Sequence, residues 1–241
     1  MTIKEILSTT EHRPWPLPMS SWRFYQEWNK AIFMHWEVNY EELRKLVPKE
    51  LEIDLMDGKP WASLVAFTME NIRPKNLPAI LPIPTFEEIN IRTYVKSNNK
   101  TGVYFLSIEA SNKLSCFVAK AISELPYRFS KMARDISSFT SSNAEFGDNF
   151  QVNFQVEEEQ PKKTQLDKWL TERYALFQET KRGINKFEIH HVEWPIRNIN
   201  INNLHYEYAR FNNLLIGKPH KIQYSEGVKV VAWGKEKLAT I

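Results

Sequence analysis

Phe86-Glu87-Glu88-Ile89-Asn90-Ile91-Arg92-Thr93-Tyr94-Val95 reads as a strand with two unlike faces. Side chains alternate along a strand, so Ile89, Ile91 and Val95 point one way, and Glu88, Asn90 and Arg92 point the other with Phe86 and Tyr94. Such a pattern predicts a sheet covered on both faces, closed or wrapped upon itself. Val103 to Ala110 supplies the returning strand across Asn98-Asn99-Lys100-Thr101-Gly102.

Outward from this pair, Leu51 to Leu55 alternates cleanly and Asp57-Gly58 is the strongest turn signal in the chain, so a hairpin with Trp61 to Phe67 is expected. Ala31 to Val38 reads as an aromatic-rich strand, and Asn39 caps a short helix through Leu46 that Pro48 ends. Pro74, Pro78, Pro82 and Pro84 predict a long irregular crossing of the kind that often borders a site. Leu114, Phe117, Val118, Ala121, Ile122 and Leu125 recur at helical spacing, with Ser111 or Asn112 as cap and Pro126 as stop. Short strands are expected over 127–156, a capped helix from Thr164 to Tyr174, and strands at 174–179, 186–193 and 228–233; 198–216 gives no clear pattern. The fold class is α+β, mainly β.

The 241 residues show no Gly/Ser-rich or single-charge linker, which favours one domain over 1–241. His12 to Trp22 is too proline-rich for helix or central strand, so an extended N-terminal arm, about 1–22, is expected to lie over the body, anchored by its tryptophans. Thirty-two basic residues are interleaved with 29 acidic ones, unlike the clustered basic face of a nucleic-acid binder. A single cysteine, Cys116, excludes an internal disulfide framework and a Cys-rich metal site, and fits a reducing cytoplasm. No secretory leader is evident, and no run approaches the roughly 18 apolar residues of a membrane span. A cytoplasmic protein is the expectation.

Only seven glycines occur, none in a phosphate-cradling loop or a hydrolase elbow. In His190-His191-Val192-Glu193, His191 and Glu193 share a strand face with Phe187 and Ile189 and could converge on an ion. Hydrogen bonding to neighbours is the commoner fate of such a histidine, and no metal or cofactor is expected. Glu88, Asn90 and Arg92 carry the stronger functional case, because a carboxylate, an amide and a guanidinium on one face can bind or polarise a carboxylate- or carbonyl-bearing molecule. The plainer alternative is a Glu–Arg pair on a solvated face.

Arg13-Pro14-Trp15-Pro16-Leu17-Pro18, Phe33-Met34-His35-Trp36, the 86–95 strand, Leu125-Pro126-Tyr127, Leu170-Thr171-Glu172-Arg173-Tyr174 and Glu188-Ile189-His190-His191-Val192-Glu193-Trp194-Pro195 stand in order along the chain. Together they resemble the YqjF-like bacterial family of unknown function, over residues 13 to about 233. That family looks like a branch of the acetoacetate decarboxylase-like superfamily. The resemblance implies an antiparallel, cone-like β-barrel with a central cavity and a few flanking helices, and weakly a homo-oligomer.

In the decarboxylase a lysine after Phe-Pro forms a Schiff base, and a neighbouring lysine lowers its pKa. The resemblance places Tyr127 and Arg128 at those positions, and a phenol forms no imine, so decarboxylation by that mechanism is not expected. Glu88 matches the glutamate of the decarboxylase's strand motif.

Three readings follow. The cavity binds a small organic acid or carbonyl compound through Glu88, Asn90, Arg92, Tyr127, Arg128 and His191; or Tyr127 or Glu88 performs acid–base chemistry on a keto or enol substrate, with Arg128 stabilising a phenolate; or Trp36, Trp61 and Tyr104 fill the interior and the protein is an interaction scaffold. Lys120 and Lys131 are the candidates for a displaced catalytic lysine, although Lys120 reads most simply as a snorkelling surface residue.

Overall fold

The computed structural model describes residues 1–75, 84–159 and 162–238. The first half of the chain forms α1 (Ile3–Ser8), β1 (Phe24–Glu37), α2 (Tyr40–Arg44), β2 (Glu52–Ile53), β3 (Trp61–Pro74), β4 (Phe86–Ser97), β5 (Lys100–Ala110) and α3 (Lys113–Ser123). Then come β6 (Arg128–Phe129), β7 (Lys131–Asp135), β8 (Ser138–Asn143), β9 (Asp148–Glu159) and α4 (Gln165–Thr171). The last third holds β10 (Ala175–Thr180), β11 (Gly183–His190), β12 (Ile196–Glu207), a 3₁₀ turn, β13 (Lys221–Ala232) and β14 (Glu236–Lys237).

Hydrogen bonding runs in the order β11-β10-β5-β4-β3-β1-β13, and β13 pairs back onto β11 through Ile189↔Ala232 and His190↔Val231, closing a ring of seven strands. From β13 the sheet also continues through β12, β9, β8 and β7, which form an outer layer. The two faces of β4 go to different places, as its alternation predicts. Ile89, Ile91 and Val95 join Ile32, Met34 and Leu64 in a core against Phe139, Phe150 and Phe154 of the outer layer. Phe86 joins Phe33, Val65, Phe67 and Val230 in a second core on the opposite face. The mainly β, α+β class is thus what the chain adopts.

The caps form where the sequence places them. Asn39 accepts from the Glu42 amide at 3.1 Å, Asn112 from the Ser115 amide at 2.9 Å, and Thr164 and Asp167 make a capping box on α4. Asn98 and Asn99 both sit at positive φ, 49° and 59°, making the tight β4–β5 turn. The arm lies on the body: Arg13 Nη2 donates to Glu188 Oε2 at 2.7 Å, Trp15 Nε1 to the same oxygen at 2.9 Å, and the Trp233 indole reaches Ser20 O at 2.7 Å. The first residues of the arm form α1 instead of extended chain.

Two expectations fail. Asp57-Gly58 does turn, with Met56 and Lys59 exchanging 2.9 Å backbone bonds, but no hairpin follows. β2 and β3 are both antiparallel to β4, at Glu52↔Lys96 and Ala62↔Thr93, so they run the same way as one interrupted strand. Both long edges of β3 are already taken by β1 and β4, leaving no place for a hairpin partner.

On α3, Leu114 is 61% and Phe117 72% exposed, while Ser115 and Cys116 are buried. The helix turns small residues inward because it lies close over the ring. The side chains of Val118, Ala121 and Ile122 lie outside the described residues, as do Pro78 and Pro82 of the expected crossing.

The ring's parallel seam, β5 against β10, requires Gly102. A Cβ there would meet the Ala175 carbonyl, with the carbonyl carbon at 2.8 Å. Gly102→Ala is expected to push β10 outward and cost about 1–3 kcal/mol, read as a lower urea midpoint at unchanged slope. An unchanged midpoint would show that the seam has slack.

Candidate functional site

A pocket of about 500 Å³ opens on the inner face of the ring. All seven ring strands line it, through Phe33, Val65, Glu88, Phe105, Leu176, Ile189 and Ala232, and α3 adds Ser115, Ala119 and Ser123. That small-residue stripe, at i, i+4 and i+8, is the face α3 turns to the sheet.

Four of the residues singled out on sequence meet in the polar part. The Tyr127 hydroxyl donates to Glu88 Oε2 at 2.8 Å, and Asn90 Nδ2 donates to Glu88 Oε1 at 3.1 Å. Arg92 lines the same pocket from two residues farther along β4. Burial raises the Glu88 carboxyl to about 7, even though the Tyr127 and Asn90 donors and the Arg92 charge pull it down. Burial, then the adjacent Glu88, pushes the Tyr127 phenol well above its ordinary value. The pair therefore carries its titratable proton near neutrality on Glu88, with Tyr127 as a neutral donor.

Arg92 is in no salt bridge among the described residues, and its Nε has no hydrogen-bond partner. Its guanidinium lies 5.8 Å from the Phe33 ring centroid. Burial lowers its pKa, with Tyr94 and Glu88 opposing. Arg173, which also lines the pocket, is held differently, with Nη1 on Asp54 Oδ2 at 2.6 Å.

Arg128 is a correction: it is absent from the pocket lining. Residues 127 and 128 point to opposite sides of the chain, so Arg128 Nη1 reaches Ser107 Oγ at 3.3 Å and its guanidinium lies 4.5 Å from the Phe146 ring. The expected lowering of the Tyr127 pKa by Arg128 is accordingly replaced by a rise.

His191 does line the pocket, with Nδ1 donating to the Val192 carbonyl at 2.7 Å, and burial lowers its pKa. Glu193 turns away to Lys168 at 2.9 Å and Lys163 at 3.4 Å, because β11 ends at His190 and strand alternation ends with it. Lys120 and Lys131 are exposed and outside the lining. Trp36, Trp61 and Tyr104 are buried in core clusters and leave the pocket unfilled.

Sequence reasoning missed Arg173, whose partner Asp54 is 119 positions away. It also missed the aromatic wall. Phe33 meets Trp194 edge-on at 5.0 Å, Trp194 lies 6.1 Å from Trp28 at 23°, and Trp28 lies 5.8 Å from Phe67. Among the described residues, the exposed lining residues are Arg23 and Lys235, which mark the mouth. Lys235 is ion-paired there with Glu124, the left-handed cap of α3.

No helix among the described residues is long and apolar enough to cross a membrane. Residues 25–229 match the DUF2071 family of uncharacterized conserved proteins. The uncharacterized protein YqjF of Bacillus subtilis is 34% identical over 189 residues, covering 76% of this chain and 78% of its own.

Among solved structures, the enduracididine biosynthesis enzyme MppR, complexed with the condensation product of pyruvate and imidazole 4-carboxaldehyde, superposes with a TM-score of 0.62 at 14% identity, covering 91% of this chain and 90% of its own. Acetoacetate decarboxylase from Legionella pneumophila gives 0.61 at 12% identity, covering 95% of this chain and 94% of its own. The shared ring of strands is therefore the acetoacetate decarboxylase-like fold, and by its sequence the chain belongs to the DUF2071 family together with YqjF.

Proposed function

We propose that the pocket binds a small organic acid that also bears a carbonyl group. The observation that carries this reading is Arg92, a guanidinium lining a largely apolar pocket and in no salt bridge among the described residues. A cation removed from water calls for a counter-charge, and a ligand carboxylate meets its planar fork in two hydrogen bonds. Asn90 and the protonated form of Glu88 stand beside it to receive a carbonyl or hydroxyl. MppR, of the same fold, holds a pyruvate condensation product; this chain retains an acid and a cation in its pocket, with Tyr127 where the Schiff-base lysine of the decarboxylase pattern would stand.

Calorimetric titration with keto acids and their methyl esters tests the reading. The acids are expected to bind at least tenfold more tightly than the esters. Equal affinities would remove Arg92 from its role.

The 2.8 Å Tyr127–Glu88 hydrogen bond favours a second reading, lysine-independent acid–base catalysis. A carboxyl titrating near 7 is matched to proton transfer at neutral pH. Glu88 carboxylate would take the proton α to a ligand carbonyl, and the C–H electron pair would pass into an enolate whose oxygen faces Arg92. Tyr127 would stay neutral and hold the carboxyl in place.

In deuterium oxide the wild-type protein is then expected to exchange the α-protons of a bound 2-oxo acid faster than buffer. Glu88→Gln would fall to the buffer rate, and Tyr127→Phe would slow exchange by about 100-fold. Wild-type exchange at the buffer rate would remove catalysis and leave binding standing.

A further inference from the structure

Resting on the carboxylate reading of Arg92, we propose that the preferred ligand is an aryl-substituted 2-oxo acid, whose flat ring lies along the Phe33–Trp194–Trp28 wall, rather than a short keto acid. Three observations lead there. The pocket, at about 500 Å³, is in the range that accommodates a drug-sized molecule, well beyond a three- or four-carbon acid.

The polar cluster at β4 also adjoins the aromatic wall. Glu88, Asn90, Arg92 and Tyr127 form one group, joined at Arg92 to the aromatic wall through the 5.8 Å contact with Phe33. From there the 5.0 Å Phe33–Trp194 and 6.1 Å Trp194–Trp28 steps lead away over ring surfaces. A molecule gripped by its carboxylate at Arg92 thus has aromatic surface to lie on, and planar π systems gain over aliphatic chains by stacked and edge-on geometry.

The third observation is the mouth, where the exposed lining residue Arg23 is cationic and in no salt bridge among the described residues, whereas Lys235 is paired with Glu124. Positive charge at the rim of an apolar cleft raises the local concentration of an anion without rewarding its charge inside. An anionic head and a large apolar body together satisfy the rim, the grip and the wall. A short acid leaves the wall bare, and a neutral arene leaves Arg92 unpaired.

The test is calorimetric titration of the full-length protein with pyruvate, phenylpyruvate, indole-3-pyruvate and methyl phenylpyruvate. The two aryl acids are expected to bind at least tenfold more tightly than pyruvate and than the ester. Pyruvate binding as tightly as phenylpyruvate would overturn the aryl preference and leave the carboxylate reading intact. An ester as tight as its acid would overturn the carboxylate reading, and with it the inference. Binding of none would overturn both.

In Ile189→Trp, which adds bulk from the β11 wall, phenylpyruvate affinity is expected to drop toward that of pyruvate. Undiminished aryl binding in the folded variant would place the ring elsewhere and overturn the assignment to this wall.

Discussion

Arg92→Met is expected to lose the bound acid and gain stability. The two effects have one cause. In the free protein the guanidinium is held in an apolar pocket with no salt bridge among the described residues, and Tyr94 and Glu88 offset only part of its desolvation. Methionine fills much of the same volume with no charge to desolvate, and flexible thioethers adapt to irregular space.

Replacing a buried ion pair by apolar side chains of similar volume is often neutral or stabilising by about 1–4 kcal/mol, and here there is no salt-bridge partner to strand among the described residues. A gain near the lower end, roughly 1–2 kcal/mol, is expected here because the pocket solvates part of Arg92. In the complex the same change removes one partner of a buried charge pair, costing roughly 2–5 kcal/mol, so affinity for a keto acid should fall by about 100-fold.

Arg173→Met provides the contrast within the same experiment. Its removal strands Asp54, which accepts from Arg173 at 2.6 Å, and stability should drop. Thermal unfolding and calorimetry on both variants decide the matter. A destabilised Arg92→Met that still binds acid would mean that Arg92 is a structural residue.

This contrast also marks what the sequence could reveal. Glu88, Asn90 and Arg92 were legible because strand alternation is local: three polar residues at every second position must share a face, whatever the rest of the chain does. The caps Asn39, Asn112 and Thr164 and the Asn98-Asn99 turn were legible for the same reason.

Pairing is not local. Asp57-Gly58 specifies a turn, but which strand lies beside β2 depends on β1 and β4 having occupied the edges of β3. The exposure of Leu114 and Phe117 on α3 was hidden in a similar way, since closeness to the ring selects Ser115, Ala119 and Ser123 for the inner face. The position of Tyr127 came through the family resemblance, and its meeting with Glu88 joins residues 39 apart in sequence. Arg128 came through the same resemblance, as the neighbour of Tyr127, and lies outside the pocket because successive side chains point to opposite sides of an extended chain.

Glu88→Gln should convert a pH-dependent stability into a flatter one. The Glu88 carboxyl moves from an ordinary 4.5 to about 7 on folding, chiefly through burial. Between those values the folded chain binds one more proton than the unfolded chain at this group, so stability falls as pH rises. The stabilising proton is fully present below about 4.5 and lost as pH passes through about 7.

The full difference amounts to roughly 3 kcal/mol, from about 1.4 kcal/mol per pKa unit. Glutamine keeps the shape of the protonated acid, can still accept from Asn90, and can donate to Tyr127 in place of accepting from it. Urea unfolding should therefore show variant and wild type close together near pH 4.5, with the variant roughly 3 kcal/mol more stable by pH 8.

The same proton couples to the ligand. An anion placed beside Glu88 raises its pKa further, so wild-type affinity should decline above pH 7 with uptake of a proton on binding, and Glu88→Gln should abolish that uptake. A stability gap that stays constant from pH 4.5 to 8 would show that folding leaves the Glu88 pKa unshifted and the group ionised at neutrality, and would remove it both as the neutral donor in the binding pocket and as a proton carrier tuned to neutrality.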